Sequence, residues 1–398
     1  MVGDLLDRSH HMDPSRLTAA VGASASLAGA SAVCIYLVDY EQRILVALES
    51  PDDHELDIDA TLGGRSFITG ELNRLACGDR HQYWLPLIDG VDRLGVMTMV
   101  VEEDTDDMRT QCLRLAGLVS LLIATKRPYT TSFARTARRR TPTVAAEVQW
   151  SQVPPLTFAT SQVAIAGILE PAYDIGGDSF DYAQRGDGID VVVIDAMGHG
   201  LHATWPATLA LASLRRARSE GLGLGEQYTA ASALLGEELQ THQFVAAQLA
   251  HLDSRTGIIH WVNAGLPAPL LVRGEKVIGE VSCRPSPPLG IGTDITEVAE
   301  LQLEPWDRMV FFTDGVIEGH QPGTEPFGLE RLIDLLGREA LAGNGVAETL
   351  RRLAHAVLDH HHHELRDDFT MVAVEYRGAG DLPPAAPYGY RLADQRSV

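Results

Sequence analysis

Aspartates sit at the ends of apolar runs at four places in this 398-residue sequence. Val191-Val192-Val193-Ile194 leads into Asp195, followed by Ala196-Met197-Gly198-His199-Gly200. Val310-Phe311-Phe312-Thr313 leads into Asp314-Gly315, Asp367-Asp368 precede Phe369-Thr370-Met371-Val372, and Asp178 follows Ile175-Gly176-Gly177. A carboxylate at the mouth of a buried strand costs free energy unless it is paired, hydrogen-bonded or bound to metal. The neighbouring glycines let the backbone turn sharply and approach a ligand closely. Carboxylates without partnering cysteines suit hard cations such as magnesium or manganese rather than zinc. Two ions held by such groups would lower the pKa of a bridging water and hold a phosphoryl group for in-line attack. Taken one at a time, each aspartate reads better as a helix cap or turn residue.

The elements that must position these acids are legible as strands and helices. Val163–Leu169, Ile189–Ile194, Val245–Leu252, Gly257–Val262, Met309–Thr313 and Thr370–Tyr376 read as strands. Ala203–Ser219, Tyr228–Thr241, Leu329–Leu341 and Val346–His360 have helical spacing. Strands gathered mid-chain with helices in blocks around them favour an α+β layered sandwich over a parallel α/β fold. Upstream, a helix over Arg16–Ala28, strands at Val33–Val38, Ile44–Leu48, Trp84–Ile88 and Leu94–Val101, and a helix over Cys112–Lys126 make a separate unit. Between them runs a connector with the basic residues Arg135, Arg138, Arg139 and Arg140, read as a solvated helix face or linker, and a helical stretch at Val144–Trp150.

Two resemblances follow from these residues. Ile35-Tyr36-Leu37-Val38-Asp39, Gly63-Gly64-Arg65-Ser66-Phe67, Trp84-Leu85-Pro86-Leu87 and Leu94-Gly95-Val96 resemble a GAF domain. The series from Glu170 to Tyr182, Asp195 to Gly200, Asn263-Ala264-Gly265, Pro288-Leu289-Gly290-Ile291, Thr313-Asp314-Gly315, Phe327-Gly328 and Asp367-Asp368-Phe369-Thr370 resembles the SpoIIE-like branch of the PPM metal-dependent protein phosphatases. The resulting organisation is a GAF-like α/β sensor domain over residues 14–126, a helical linker over 127–160, a PPM-type αββα sandwich over 161–377 and a flexible tail over 378–398.

The second resemblance implies a serine/threonine protein phosphatase using two Mn2+ or Mg2+ ions. By motif position Asp195 bridges both ions and the Ala196 carbonyl adds a ligand. Asp314 and Asp367 hold one ion, with Asp368 as the close alternative to Asp367, and Asp178 serves the other. His199 either donates a proton to the leaving serine oxygen or bonds the turn backbone. Leu266 stands where this branch often carries a histidine, and no phosphate-binding arginine is identifiable. The implied partner is a phosphorylated STAS-type regulatory protein, with an unidentified small ligand at the GAF-like domain and a homodimer through that domain or the connector. The competing readings are a non-catalytic signalling module and a phosphatase of small phosphorylated metabolites.

Composition sets the outer limits. A net charge of -22 argues against general nucleic-acid binding, because such a surface repels phosphate backbones. The most apolar window, Leu113–Ala124, is too short to span a bilayer. No secretory signal is evident in Met1–Asp13, and Cys34, Cys77, Cys112 and Cys283 lack ligand spacing, so a cytoplasmic protein is expected. The run His360–His363 reads as an exposed helix end bearing imidazoles.

Overall fold

The computed structural model describes residues 1–49, 55–240, 242–295, 297–319, 325–363, 365 and 367–378. Most of the expected tail, from residue 379 onward, lies outside these, as does Thr241 of an expected helix. Two compact units divide the chain, one within Met1–Thr141 and one beginning at Pro142.

The first unit is built on one antiparallel sheet. Its strands are β1 (Ala30–Val38), β2 (Ile44–Ala47), β3 (Glu55–Asp57), β4 (Asn73–Cys77), β5 (Arg80–Asp89) and β6 (Asp92–Val101). Their spatial order is β3-β2-β1-β6-β5-β4. Helices α1 (Val2–Ser9), α2 (Leu17–Ser26), α3 (Leu62–Thr69), α4 (Asp106–Lys126) and α5 (Ser132–Ala137) accompany it. Alternation along β1 and β6 sends Ile35, Leu37, Met97 and Met99 toward the buried faces of α1, α2 and α4, while Tyr36 and Val96 pack with Phe67 of α3. Helix α1, within the Met1–Asp13 segment, buries Leu5 fully in that core. The basic residues after α5 are engaged within this unit. Arg140 pairs with Glu41 at 3.1 Å, Arg139 pairs with Glu55, and the Arg138 guanidinium lies over the Tyr40 ring.

The second unit opens with α6 (Val144–Gln152), capped by the Thr143 hydroxyl accepting from Ala146 N at 3.2 Å. Then follow β7 (Thr157–Ala159), β8 (Val163–Glu170), β9 (Asp178–Arg185), β10 (Gly188–Ala196), α7 (Leu201–Ser219) and α8 (Leu224–Glu238). Next come β11 (Val245–Asp253), β12 (Ile258–Ala264), β13 (Leu270–Arg273), β14 (Lys276–Glu280), β15 (Ala299–Gln302) and β16 (Arg308–Phe312). The unit ends with α9 (Gly315–Glu318), α10 (Leu329–Ala342), α11 (Val346–His360) and β17 (Phe369–Tyr376).

Two antiparallel sheets result, ordered β15-β12-β11-β10-β9 and β14-β13-β16-β17-β8-β7. Period-two alternation decides what each face buries. From β10, Val191 and Val193 point into a core shared with Met309, Phe311, Val372 and Val374 of the other sheet. Val192 and Ile194 point the opposite way, onto Ala207, Leu211, Tyr228 and Leu235 of α7 and α8. From the second sheet, Val310, Phe312 and Ala373 pack on Leu332, Leu336, Leu350 and Leu353 of α10 and α11. Helices therefore cover both outer faces of a two-sheet sandwich, the expected αββα order of layers. Among the described residues no helix is long and apolar enough to cross a membrane.

Candidate active site

Strand register brings the aspartates to one end of the sandwich. In the β9–β10 pair Asp178 is the direct partner of Asp195. In the other sheet β16 runs out through Thr313 into Asp314, and antiparallel β17 begins just after Asp367-Asp368, so these three acids share an edge. Asp178 and Asp195 are thus on strands, which excludes the cap-or-turn reading for both. Asp314 does occupy the N-cap position of α9, yet its side chain makes no capping hydrogen bond. None of the ion pairs recorded among the described residues includes any of these five acids.

The two adjacent acids at β17 do different work. Asp368 Oδ2 accepts from the backbone N–H groups of Gly176 and Gly177, at 2.7 and 2.8 Å, and so pins the loop that carries Asp178. Asp367 is more exposed, and its one recorded hydrogen bond is local, Asp368 N donating to its Oδ1 at 3.0 Å. Asp178 is buried and accepts from the Thr313 hydroxyl at 2.7 Å. That hydroxyl in turn accepts from Thr370 N at 2.9 Å, linking β9, β16 and β17 through one side chain.

Close backbone approach explains the glycines. A Cβ on Gly177 would stand 2.7 Å from the Ala196 carbonyl oxygen, and one on Gly315 would overlap the Asp368 carbonyl oxygen. Loss of side chains here lets the two sheets' acidic ends come together.

Crowding of like charges shows in the ionisation of the acids. Burial first, then the charges of Asp314 and Asp367, push Asp195 up to about 7. Burial, Asp195 and Asp368 hold Asp178 well above the usual carboxylate range. Asp367 and Asp368 are also raised, chiefly by burial, with His199 offsetting part of the shift in each. His199 itself is exposed on the loop between β10 and α7, where Gly198 and Gly200 have φ of 102° and 62°.

The donor set fits hard divalent cations: carboxylate oxygens and one backbone carbonyl, no sulfur, and a local deficit of positive charge. Among the described residues no three His, Cys, Asp or Glu side chains converge closely enough to hold an ion as they stand. Burial first, and then the acids' like charges with no ion-paired cation among the described residues, raise their pKa values.

Three residues outside the expected list complete the site. Thr313 was legible as the last residue of a strand and the first of the Thr313-Asp314-Gly315 motif, without a role of its own. Gln149, fully buried on α6, donates to the carbonyls of Gly176 and Asp178 at 3.0 and 3.2 Å. Thr204 of α7 donates to the same Gly176 carbonyl at 2.9 Å. Leu266 lies in the core between the sheets, and Asn263 folds the turn before it by accepting from Gly265 N and Leu266 N, both at 3.0 Å. A histidine function at that position is therefore absent. The imidazole run is not uniformly exposed: His361 is buried, and His360 Nε2 contacts the Glu325 carbonyl at 3.0 Å.

Comparison with known proteins places this geometry. The protein IcfG of Synechocystis is 24% identical over 243 residues, covering 54% of this chain; the chain spans 38% of that relative's length. The RsbU and RsbW domains of Rv1364c from Mycobacterium tuberculosis share 26% identity, with 56% of this chain and 61% of that one covered at a TM-score of 0.48. The SiaA-PP2C domain of Pseudomonas aeruginosa shares 24%, with 58% and 94% covered at 0.46. The phosphatase domain with a regulatory fragment of SpoIIE from Bacillus subtilis shares 20%, with 55% and 65% covered at 0.45. Residues 185–377, which carry Asp195, Asp314 and Asp367, match the family model for Stage II sporulation protein E (SpoIIE), so this part of the chain belongs to the SpoIIE family of PPM phosphatases.

Proposed function

We propose that the second unit hydrolyses phosphoserine or phosphothreonine on a regulatory protein, with a STAS-type protein as substrate, using two Mn2+ or Mg2+ ions. The observation that carries this reading is the placement of Asp178 and Asp195 from one sheet and Asp314, Asp367 and Asp368 from the other at the same end of the sandwich, none in an ion pair among the described residues. Asp195, facing both groups of acids, is assigned as the shared ligand, with the Ala196 carbonyl beside it. Asp314 and Asp367 complete one ion's donors, and Asp178 serves the other. Asp367 is preferred over Asp368 because Asp368 already spends an oxygen on two backbone donors.

Bound there, the ions would polarise the phosphoryl group and lower the pKa of a coordinated water. The chain's own contribution is positional. Asp368 and Gln149 fix the Gly176-Gly177 loop, and Thr313 fixes the Asp178 carboxylate, so the backbone that carries the acids is held in place. His199, exposed at the cleft, would give a proton to the departing serine oxygen. The first unit, an antiparallel sheet with helices on both faces, is compatible with a GAF-like sensor that pairs with a second copy or takes a small ligand.

All the expected carboxylates are present, which weighs against a purely non-catalytic signalling module. The test is phosphate release from a serine-phosphorylated STAS-domain protein with Mn2+, Mg2+ or EDTA. Release with either ion and none with EDTA is expected. Release that persists in EDTA would contradict the reading.

A further inference from the structure

One wall of the carboxylate cleft is apolar and uncovered. A cavity of about 480 Å3 opens beside Asp367 and Asp368, lined on its apolar side by Val144, Pro171, Leu201 and Leu365, with Asp174 and His199 at its polar edge. Val144 is the first residue of α6 and Leu201 the first of α7, and they are 66% and 57% exposed. Trp205 lies four residues along α7 from Leu201, on the same helical face, and is 58% exposed. Large apolar side chains left in water next to a cleft mark an interaction surface. Tryptophan is among the side chains that most often anchor one.

Charge selects the occupant. Among the described residues no lysine or arginine lines this cavity, and the exposed Asp174 adds a negative charge at its rim. A small phosphorylated metabolite, whose remaining groups are polar or anionic, finds no lysine or arginine among the described lining residues and meets repulsion from Asp174 at the edge. A protein substrate offers what the wall matches, an apolar surface beside its phosphorylated residue. We propose that Val144, Leu201 and Trp205 form a docking ledge for such a surface and determine selection of phosphoproteins over phosphometabolites. This rests on the phosphatase reading above.

The test compares the full chain with Leu201→Ala and Trp205→Ala, singly and together. Three probes are used with Mn2+: a serine-phosphorylated STAS-domain protein, p-nitrophenyl phosphate and glucose 6-phosphate. For the double variant kcat/KM on the protein should fall about tenfold or more through KM, the scale of losing an interface anchor, with p-nitrophenyl phosphate turnover unchanged. Equal loss on both, or no loss on the protein, would overturn the ledge. So would wild-type turnover of glucose 6-phosphate rivalling that of the protein, or a change in the variant's oligomeric state by light scattering, which would make the surface a contact between copies. Wild-type protein inactive on every probe would instead sink the phosphatase reading itself.

Discussion

At the scale of single residues, the site is a balance between carboxylate repulsion and the hydrogen bonds that oppose it. Thr313 tests the second term. Replacing it by valine leaves Asp178 without its hydroxyl donor and Thr370 N–H without its acceptor, at a cost of about 1–3 kcal/mol in unfolding free energy. Denaturant titration of the Thr313→Val protein measures this, and unchanged stability would contradict the assigned role. Burial, together with that repulsion, sets a pH dependence. Without ions, Asp195 in the folded state holds its proton up to about 7, whereas an unfolded aspartate loses it near 3.8. The folded state thus binds more protons across that window, and the ion-free protein loses stability as pH rises through it. Divalent ions compete with those protons. The increase in melting temperature on adding Mn2+ should therefore be larger at about pH 8 than at about pH 5.5, and a pH-independent increase would contradict the account.

At the scale of elements, register and loop glycines do the positioning. Gly315→Ala forces the Asp368 carbonyl away and so moves both acids before β17. Loss of Mn2+ binding by calorimetry is expected, and full affinity would contradict the close approach. Helix α6 makes a similar contribution from outside the sandwich, through Gln149. A chain starting at Pro142 should melt at a higher temperature than one starting at Ser161, which lacks α6. This element also shows how far sequence reading reached. Ile189–Ile194, Met309–Thr313 and Thr370–Tyr376 were legible as strands because apolar runs of β-branched and aromatic residues have few alternatives. The short strands β3, β7 and β13 to β15 were not, because their pairing depends on neighbours distant in sequence. The aspartates were legible as a set by their place beside those runs. The division of labour between Asp367 and Asp368 was not, since it depends on the Gly176-Gly177 loop, nearly two hundred residues away in the chain.

At the scale of the whole molecule, the net charge of -22 and the acidic cleft suit a protein that gathers cations and relies on them for activity. The central claim is that Asp195 joins the two groups of acids into one catalytic centre. The most direct measurement pairs Mn2+ calorimetry with phosphate release for the wild-type chain and Asp195→Asn, an isosteric change that removes one charge. Metal-dependent release by the wild type, with loss of both ion binding and release in the variant, is the predicted result. A variant that still releases phosphate at the wild-type rate would contradict it.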